Sequence, residues 1–137
     1  MTDEELGQKK LAVIERCLTE RRELAHPERL VSDVREERFV LHTLQIAIQA
    51  ALDVASHIVS DAHLGEPRTN RELFERLTRA GRLPEPLGAR PGAMAGFRNL
   101  LVHGYDEVDL AIVRDVVEHH LGDLDAFVVS VRAQLGA

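Results

Sequence analysis

The 137-residue chain has one cysteine, one tyrosine, four phenylalanines and no tryptophan. A lone Cys17 excludes an intrachain disulfide and a cysteine-based zinc cluster. Set among Val13, Ile14 and Leu18 at helical spacing, it reads as a small buried apolar residue, so redox chemistry gains almost no support. So few aromatic side chains leave no visible platform for stacking unpaired bases. The N-terminal stretch MTDEELGQKK is acidic and polar, and no apolar run after it is long enough for a signal peptide or a membrane span. The expected location is therefore the cytoplasm, without membrane contact. No internal repeat, low-complexity tract or alternating strand pattern is evident.

What is abundant is Ala, Leu, Val, Glu and Arg, with 45% hydrophobic residues overall. That is the usage of helices packed on helices, and the length suits one core. The chain is therefore expected to be a single all-α domain, 1–137, folded as an antiparallel bundle of four to five helices.

Five helical segments follow from capping signals and apolar period. The first spans Asp3 to Leu24, opened by Thr2 with Glu5 three residues on, a capping box, and HPERLVS then breaks the chain. The second spans Val34 to Leu64, begins after Asp33 with Glu36 in the capping-box position, and ends near Gly65. Its main stripe is Leu41, Leu44, Ala47, Ile48, Ala51, Ala55, Ile58, Val59 and Ala62. A thinner stripe of Phe39, Ile46, Ala50 and His57 runs on the opposite side, which makes this helix either central or partly an interface. Thr69 and Glu72 open a short third helix to Ala80, closed by Gly81, and LPEPLGARPG forms a broken connector. A fourth segment, Gly92 to Val102, puts Met94, Phe97 and Leu101 on one face. The last spans Asp109 to Leu135 with Ile112, Val113, Val116, Val117, Leu124, Phe127 and Val131 along it.

A net charge of -6 argues against broad, non-specific nucleic-acid binding, but the charge is uneven. Residues 66–98 carry seven Arg against four Glu, net +3, while 1–65 carry -4 and 99–137 carry -5. An anionic ligand should favour the middle of the chain. There Arg68, Arg71, Arg90 and Arg98 either extend a groove for a nucleic-acid backbone, with Arg90 the foremost candidate, or form a solvated face paired with Glu72 and Glu75.

The stretch GFRNLLVHGYDEVD, residues 96–109, is where the fourth segment stops. In one reading it merely ends a helix: Gly104 takes the left-handed position, Arg98 and His103 suit a helix C-terminus, and Tyr105 packs back on Leu100. In the other it is a site. At about 100° per residue, Met94, Phe97 and Leu101 define the core face, and Arg98, Asn99, Val102 and His103 avoid it. A solvated face more usually carries Lys and Glu than Asn, Val and His, which points to a cleft or a partner surface.

Arg98, four residues, His103, one residue, Tyr105, with Asn99 directly after the Arg, resembles the signature of the HepT-like toxins of the HEPN superfamily. These are helical ribonucleases encoded beside a minimal nucleotidyltransferase antitoxin. The likeness runs along nearly the whole chain, through VLHTLQIAIQAALDVASHIVSD, GEPRTNRELFERL and MAGFRNLLVHGYDEVDL in order. The resemblance implies an HEPN-like bundle and a homodimer in which two copies of the motif line a shared groove. It also implies RNA as substrate, with tRNA as one family precedent, the nucleotidyltransferase as partner, and AMP transfer onto the Tyr105 hydroxyl. Phe39, Ile46 and Ala50 are candidates for part of the dimer seam, or else an inner contact with the first helix.

RNA carries its own nucleophile, the ribose 2′-hydroxyl, so cleavage needs a base, an acid and positive charge on the phosphate. Histidine, with an unperturbed pKa near 6.5, serves either proton role, and Arg presents a fork of donors to two phosphate oxygens. The expected assignment is His103 for proton transfer, Arg98 for phosphate binding and transition-state stabilisation, and Asn99 for orienting hydrogen bonds. This needs no cofactor and no metal, and leaves a 2′,3′-cyclic phosphate and a 5′-hydroxyl. An AMP adduct on Tyr105 would block the groove and repel phosphates.

Two other classes compete. A metal-dependent bundle enzyme would draw on His57, Asp61, His63, His119 and His120, but adjacent histidines diverge by about 100° on a helix and a core His explains His120 as well. A non-catalytic dimeric interaction or nucleotide-binding module would keep the same fold without the chemistry.

Overall fold

The computed structural model describes residues 3–30, 32–83, 98, 109–119 and 121–135. Five α-helices lie within them: α1 (Asp3–Leu24), α2 (Val34–Asp61), α3 (Asn70–Arg79), α4 (Leu110–His119) and α5 (Gly122–Leu135), with a 3-10 turn at Pro27–Arg29. Arg98 is itself helical, as expected of the fourth segment, whose other residues lie outside the described ones along with Thr2. There is no strand among the described residues. The helix expected over 109–135 is divided in two, α5 starting afresh at Gly122. Glycine costs a helix interior about 1 kcal/mol, and Asp123 and Asp125 in the first turn of α5 favour an N-terminus there.

The helix ends follow the sequence signals with two changes. Asp33 accepts a hydrogen bond from Arg35 N at 2.9 Å and opens α2. Its own N–H is already bonded to the Arg29 carbonyl at 2.9 Å, so Glu36 does not close a capping box. The Glu36 carboxylate instead accepts from His26 N, fastening the 3-10 turn onto α2 from a buried position. At the other end the left-handed residue is His63, with φ 55°, rather than a glycine. Leu64 N donates to Val59 O at 3.0 Å and His63 N to Ser60 O at 3.2 Å, the paired bonds of a Schellman motif. α3 opens as expected, Thr69 Oγ1 accepting from Glu72 N at 3.2 Å. It closes through Gly81, φ 74°, with Arg82 N on Leu77 O at 2.8 Å. The Arg68 N–H on Glu72, with the Arg76 guanidinium beside it, holds the Glu72 carboxyl below the usual carboxylate range.

α2 is the central helix. Beyond the expected stripe it buries Val40, Thr43, Ala50, Leu52 and Val54, because α1 packs along it and α3 packs on another side. By length and composition α2 could cross a membrane, contrary to the sequence expectation, yet most of its apolar window is covered by the bundle. Phe39 lines one cavity with Cys17, Leu18 and Ala25, and Ile46 and Ala50 line another with Lys10 and Val13, so these three residues of the thinner stripe lie beside α1. α5 returns across α1 and lays Leu124, Phe127 and Val131 into the core. Phe127 meets Phe74 of α3 edge to face, centroids 5.9 Å apart. That pair ties the middle of the chain to its last helix.

Candidate functional site

Arg98 stands at the side of an open cleft of about 370 Å³ between α1 and α2. The α2 wall supplies His42, Gln45, Gln49 and Asp53, one row at helical spacing, with Ile46 and Ala50 beside them. Lys10 and Val13 of α1 form the facing wall. The sequence places these groups together simply: α1 and α2 are antiparallel neighbours, and each turns a polar residue outward next to the apolar ones that join them.

Within the cleft, Lys10 Nζ lies 3.0 Å from Asp53 Oδ2, and Gln49 Nε2 donates to Asp53 Oδ1 at 2.9 Å. Both carboxylate oxygens are thus occupied. No such anchor holds Arg98 among the described residues. Its side chain is half-buried, and its Nε, shielded from solvent, meets no hydrogen-bond partner among the described residues. A buried donor left unpaired costs about 1–3 kcal/mol, a cost that an acceptor brought by a ligand or a second chain would remove. With Asp53 neutralised by Lys10, the Arg98 guanidinium has no carboxylate partner among the described residues of the cleft, a setting that suits a phosphate.

Arg98 lines a cleft, one of the two surroundings, a cleft or a partner surface, that the sequence offered for it. Asn99, His103, Tyr105 and Arg90 lie outside the described residues, as does His120. Arg68 and Arg71 are exposed at the start of α3 and do not line this cleft. Among the described residues no three His, Cys, Asp or Glu side chains gather into a group that could hold a metal ion. Sequence reading missed Lys10, His42, Gln45, Gln49 and Asp53. The signal is present in the sequence: four polar residues at steps of three, four and four form a stripe along the apolar middle of α2, beside Ile46 and Ala50.

A family model described as Ribonuclease HepT-like matches residues 11–131. The chain is 32% identical over 126 residues to an mRNA nuclease HepT of Shewanella oneidensis, covering 91% of this chain and 95% of that protein. It is 34% identical over 79 residues to a tRNA nuclease HepT of Aphanizomenon flos-aquae, covering 58% of this chain and 54% of that one. Among solved structures, a tri-AMPylated Shewanella oneidensis HEPN toxin in complex with an MNT antitoxin matches with a TM-score of 0.86 at 32% identity, over 97% of this chain and 99% of that chain.

Proposed function

The chain belongs to the HepT-like ribonuclease family and is an endoribonuclease, and from that premise we propose that it is the toxin of a toxin-antitoxin pair, cutting RNA without a metal. Arg98 grips the phosphate beside the scissile bond. His103 takes the 2′-hydroxyl proton or returns one to the 5′-oxygen, and Asn99 orients the ribose-phosphate or the imidazole. Attack by the 2′-oxygen on phosphorus breaks the bond to the 5′-oxygen and leaves 2′,3′-cyclic phosphate and 5′-hydroxyl ends. A homodimer supplies two such sets, so that acid and base come from two copies of His103. Arg90 adds a backbone contact.

The observation that carries this reading is Arg98, the first residue of the motif, standing at a polar cleft with its shielded Nε unpaired among the described residues. The partner is a minimal nucleotidyltransferase antitoxin that transfers AMP onto Tyr105, and the pair acts in the cytoplasm. Messenger RNA and tRNA are the substrates named for the relatives, and either class fits a site that reads phosphate and ribose.

Purified wild type, Arg98→Ala and His103→Ala should be incubated with total RNA in EDTA and the cut ends analysed. The wild type is expected to leave cyclic phosphates and both variants to leave RNA intact while keeping their helical fold. Cleavage that survives in both variants overturns the assignment, and cleavage that stops in EDTA and returns with added metal overturns the metal-free mechanism. After co-expression with the antitoxin, mass spectrometry should find AMP on Tyr105; an unmodified Tyr105 removes that mode of control.

A further inference from the structure

We propose that the α1–α2 wall of the Arg98 cleft is the track on which the RNA strand beside the cut lies, with Lys10 and His42 on backbone phosphates and Gln45 and Gln49 donating to ribose oxygens. This rests on the reading of the chain as a ribonuclease and names where its substrate runs.

The track is built from residues outside the family motif. His42, Gln45, Gln49 and Asp53 form one polar row along about 16 Å of α2, at 1.5 Å per residue. Every neutral member of that row can donate a hydrogen bond, which phosphate and ribose oxygens accept. Val13, Ile46 and Ala50 give it an apolar bed against which a sugar or base rests. The volume, about 370 Å³, is at the lower end of small-ligand pockets and accommodates a nucleotide rather than a duplex. A single strand therefore enters, in keeping with the exposed polar edges of unpaired RNA.

Lys10 is available for this role. Its ion pair with Asp53 is formed by side chains 37% and 41% exposed. A pair so accessible contributes only about 0–1 kcal/mol, so its exchange for a phosphate costs little. Gln49 keeps Asp53 partnered while Lys10 moves. Asp53 then bounds the track, because a carboxylate repels a phosphate placed beyond it.

The test is binding of a single-stranded oligoribonucleotide made uncleavable by 2′-O-methyl groups, followed by fluorescence anisotropy over a range of salt concentrations. Lys10→Ala should weaken binding about 3- to 10-fold and flatten the dependence of log Kd on log salt by about 0.7, the loss of one phosphate contact on a single strand. His42→Ala should weaken it several-fold. Lys9→Ala, at an exposed neighbour outside the cleft, controls for general loss of charge and should bind as wild type. Lys10→Gln, which can still hydrogen-bond Asp53, replaces Lys10→Ala if that variant melts early. In cleavage assays the Lys10 and His42 variants should raise KM more than they lower kcat.

Unchanged affinity and salt dependence in both Lys10→Ala and His42→Ala overturn the track, as does an equal loss in Lys9→Ala. Weakened binding to the antitoxin with RNA affinity intact also overturns it, and assigns the wall to the protein partner. Wild type that binds the oligonucleotide through Lys10 yet cuts no RNA would instead reject the ribonuclease reading, so the two failures are told apart.

Discussion

The guanidinium of Arg76 occupies the space a side chain on Gly65 would need: a β-carbon there would stand 2.8 Å from Nη1. From that position Nη1 donates to the Leu64 carbonyl at 3.1 Å and Nη2 to the Glu66 carbonyl at 3.3 Å. One side chain of α3 thus ties down the loop that leaves α2. Gly65 also has φ 93°, a conformation that L side chains rarely adopt.

Gly65→Ala should lower stability by about 1–2 kcal/mol, from backbone strain and from displacement of Arg76. Urea unfolding midpoints would measure it. In an Arg76→Ala background the steric part should vanish and the backbone part remain, so a double-mutant cycle separates them. Equal losses in both backgrounds would show that Arg76 yields without cost.

Glu15 of α1 and Arg132 of α5 are joined by an ion pair across 117 residues of sequence, and Arg132 Nε also donates to Gln8 Oε1 at 3.2 Å. The hydrogen bond from Arg132 and its charge hold the Glu15 carboxyl below its ordinary value of 4.5. A carboxyl lowered in the folded state adds stability that is present above 4.5 and is lost as pH falls through the lowered value. Because both side chains are more than a third exposed, Glu15→Gln should cost no more than about 1 kcal/mol near neutral pH. The difference between variant and wild type should shrink in acid and in high salt. A gap that persists unchanged at pH 3 would rule out the ion pair as its source.

Cys17, 4% exposed, has its thiol pushed up by burial, with the Glu20 charge adding to the effect. The thiolate is the reactive form, so native protein should alkylate with iodoacetamide far more slowly at pH 8 than a model thiol does. Unfolding in urea should restore the ordinary rate. Fast labelling of the native chain would mean that α1 opens readily from α2.

Arg98→Lys keeps the charge at the cleft and removes the planar fork. If two phosphate oxygens are held at once in the transition state, single-turnover cleavage should fall about 10²-fold with a smaller change in RNA affinity. Near-normal cleavage would reduce the role of Arg98 to charge alone.

The bundle was legible because helix signals are local. Asp33, Thr69 and Gly81 each act within a few residues of themselves, and all three stand at the helix ends where they were expected. The exceptions are residues whose partners are distant. Glu36 looked like a capping-box acid and instead binds His26, since Arg29 had already taken the Asp33 N–H. The single long helix over 109–135 divides before Gly122, where the apolar stripe continues through the break and conceals it.

For the site, sequence alone supplied the candidate motif, Arg98 with Asn99, His103 and Tyr105, and the resemblance to the family that the chain belongs to, because spacing along one segment is a property of the chain. It also determined that the molecule is helical, from composition and apolar period. Only the tertiary structure decided that Arg98 faces Lys10 and the polar row from His42 to Asp53, residues 45 or more positions away in the chain. Helix packing sets which face of α2 meets α1 and which is left open, and that choice is made by the sum of all the apolar contacts rather than by any local signal.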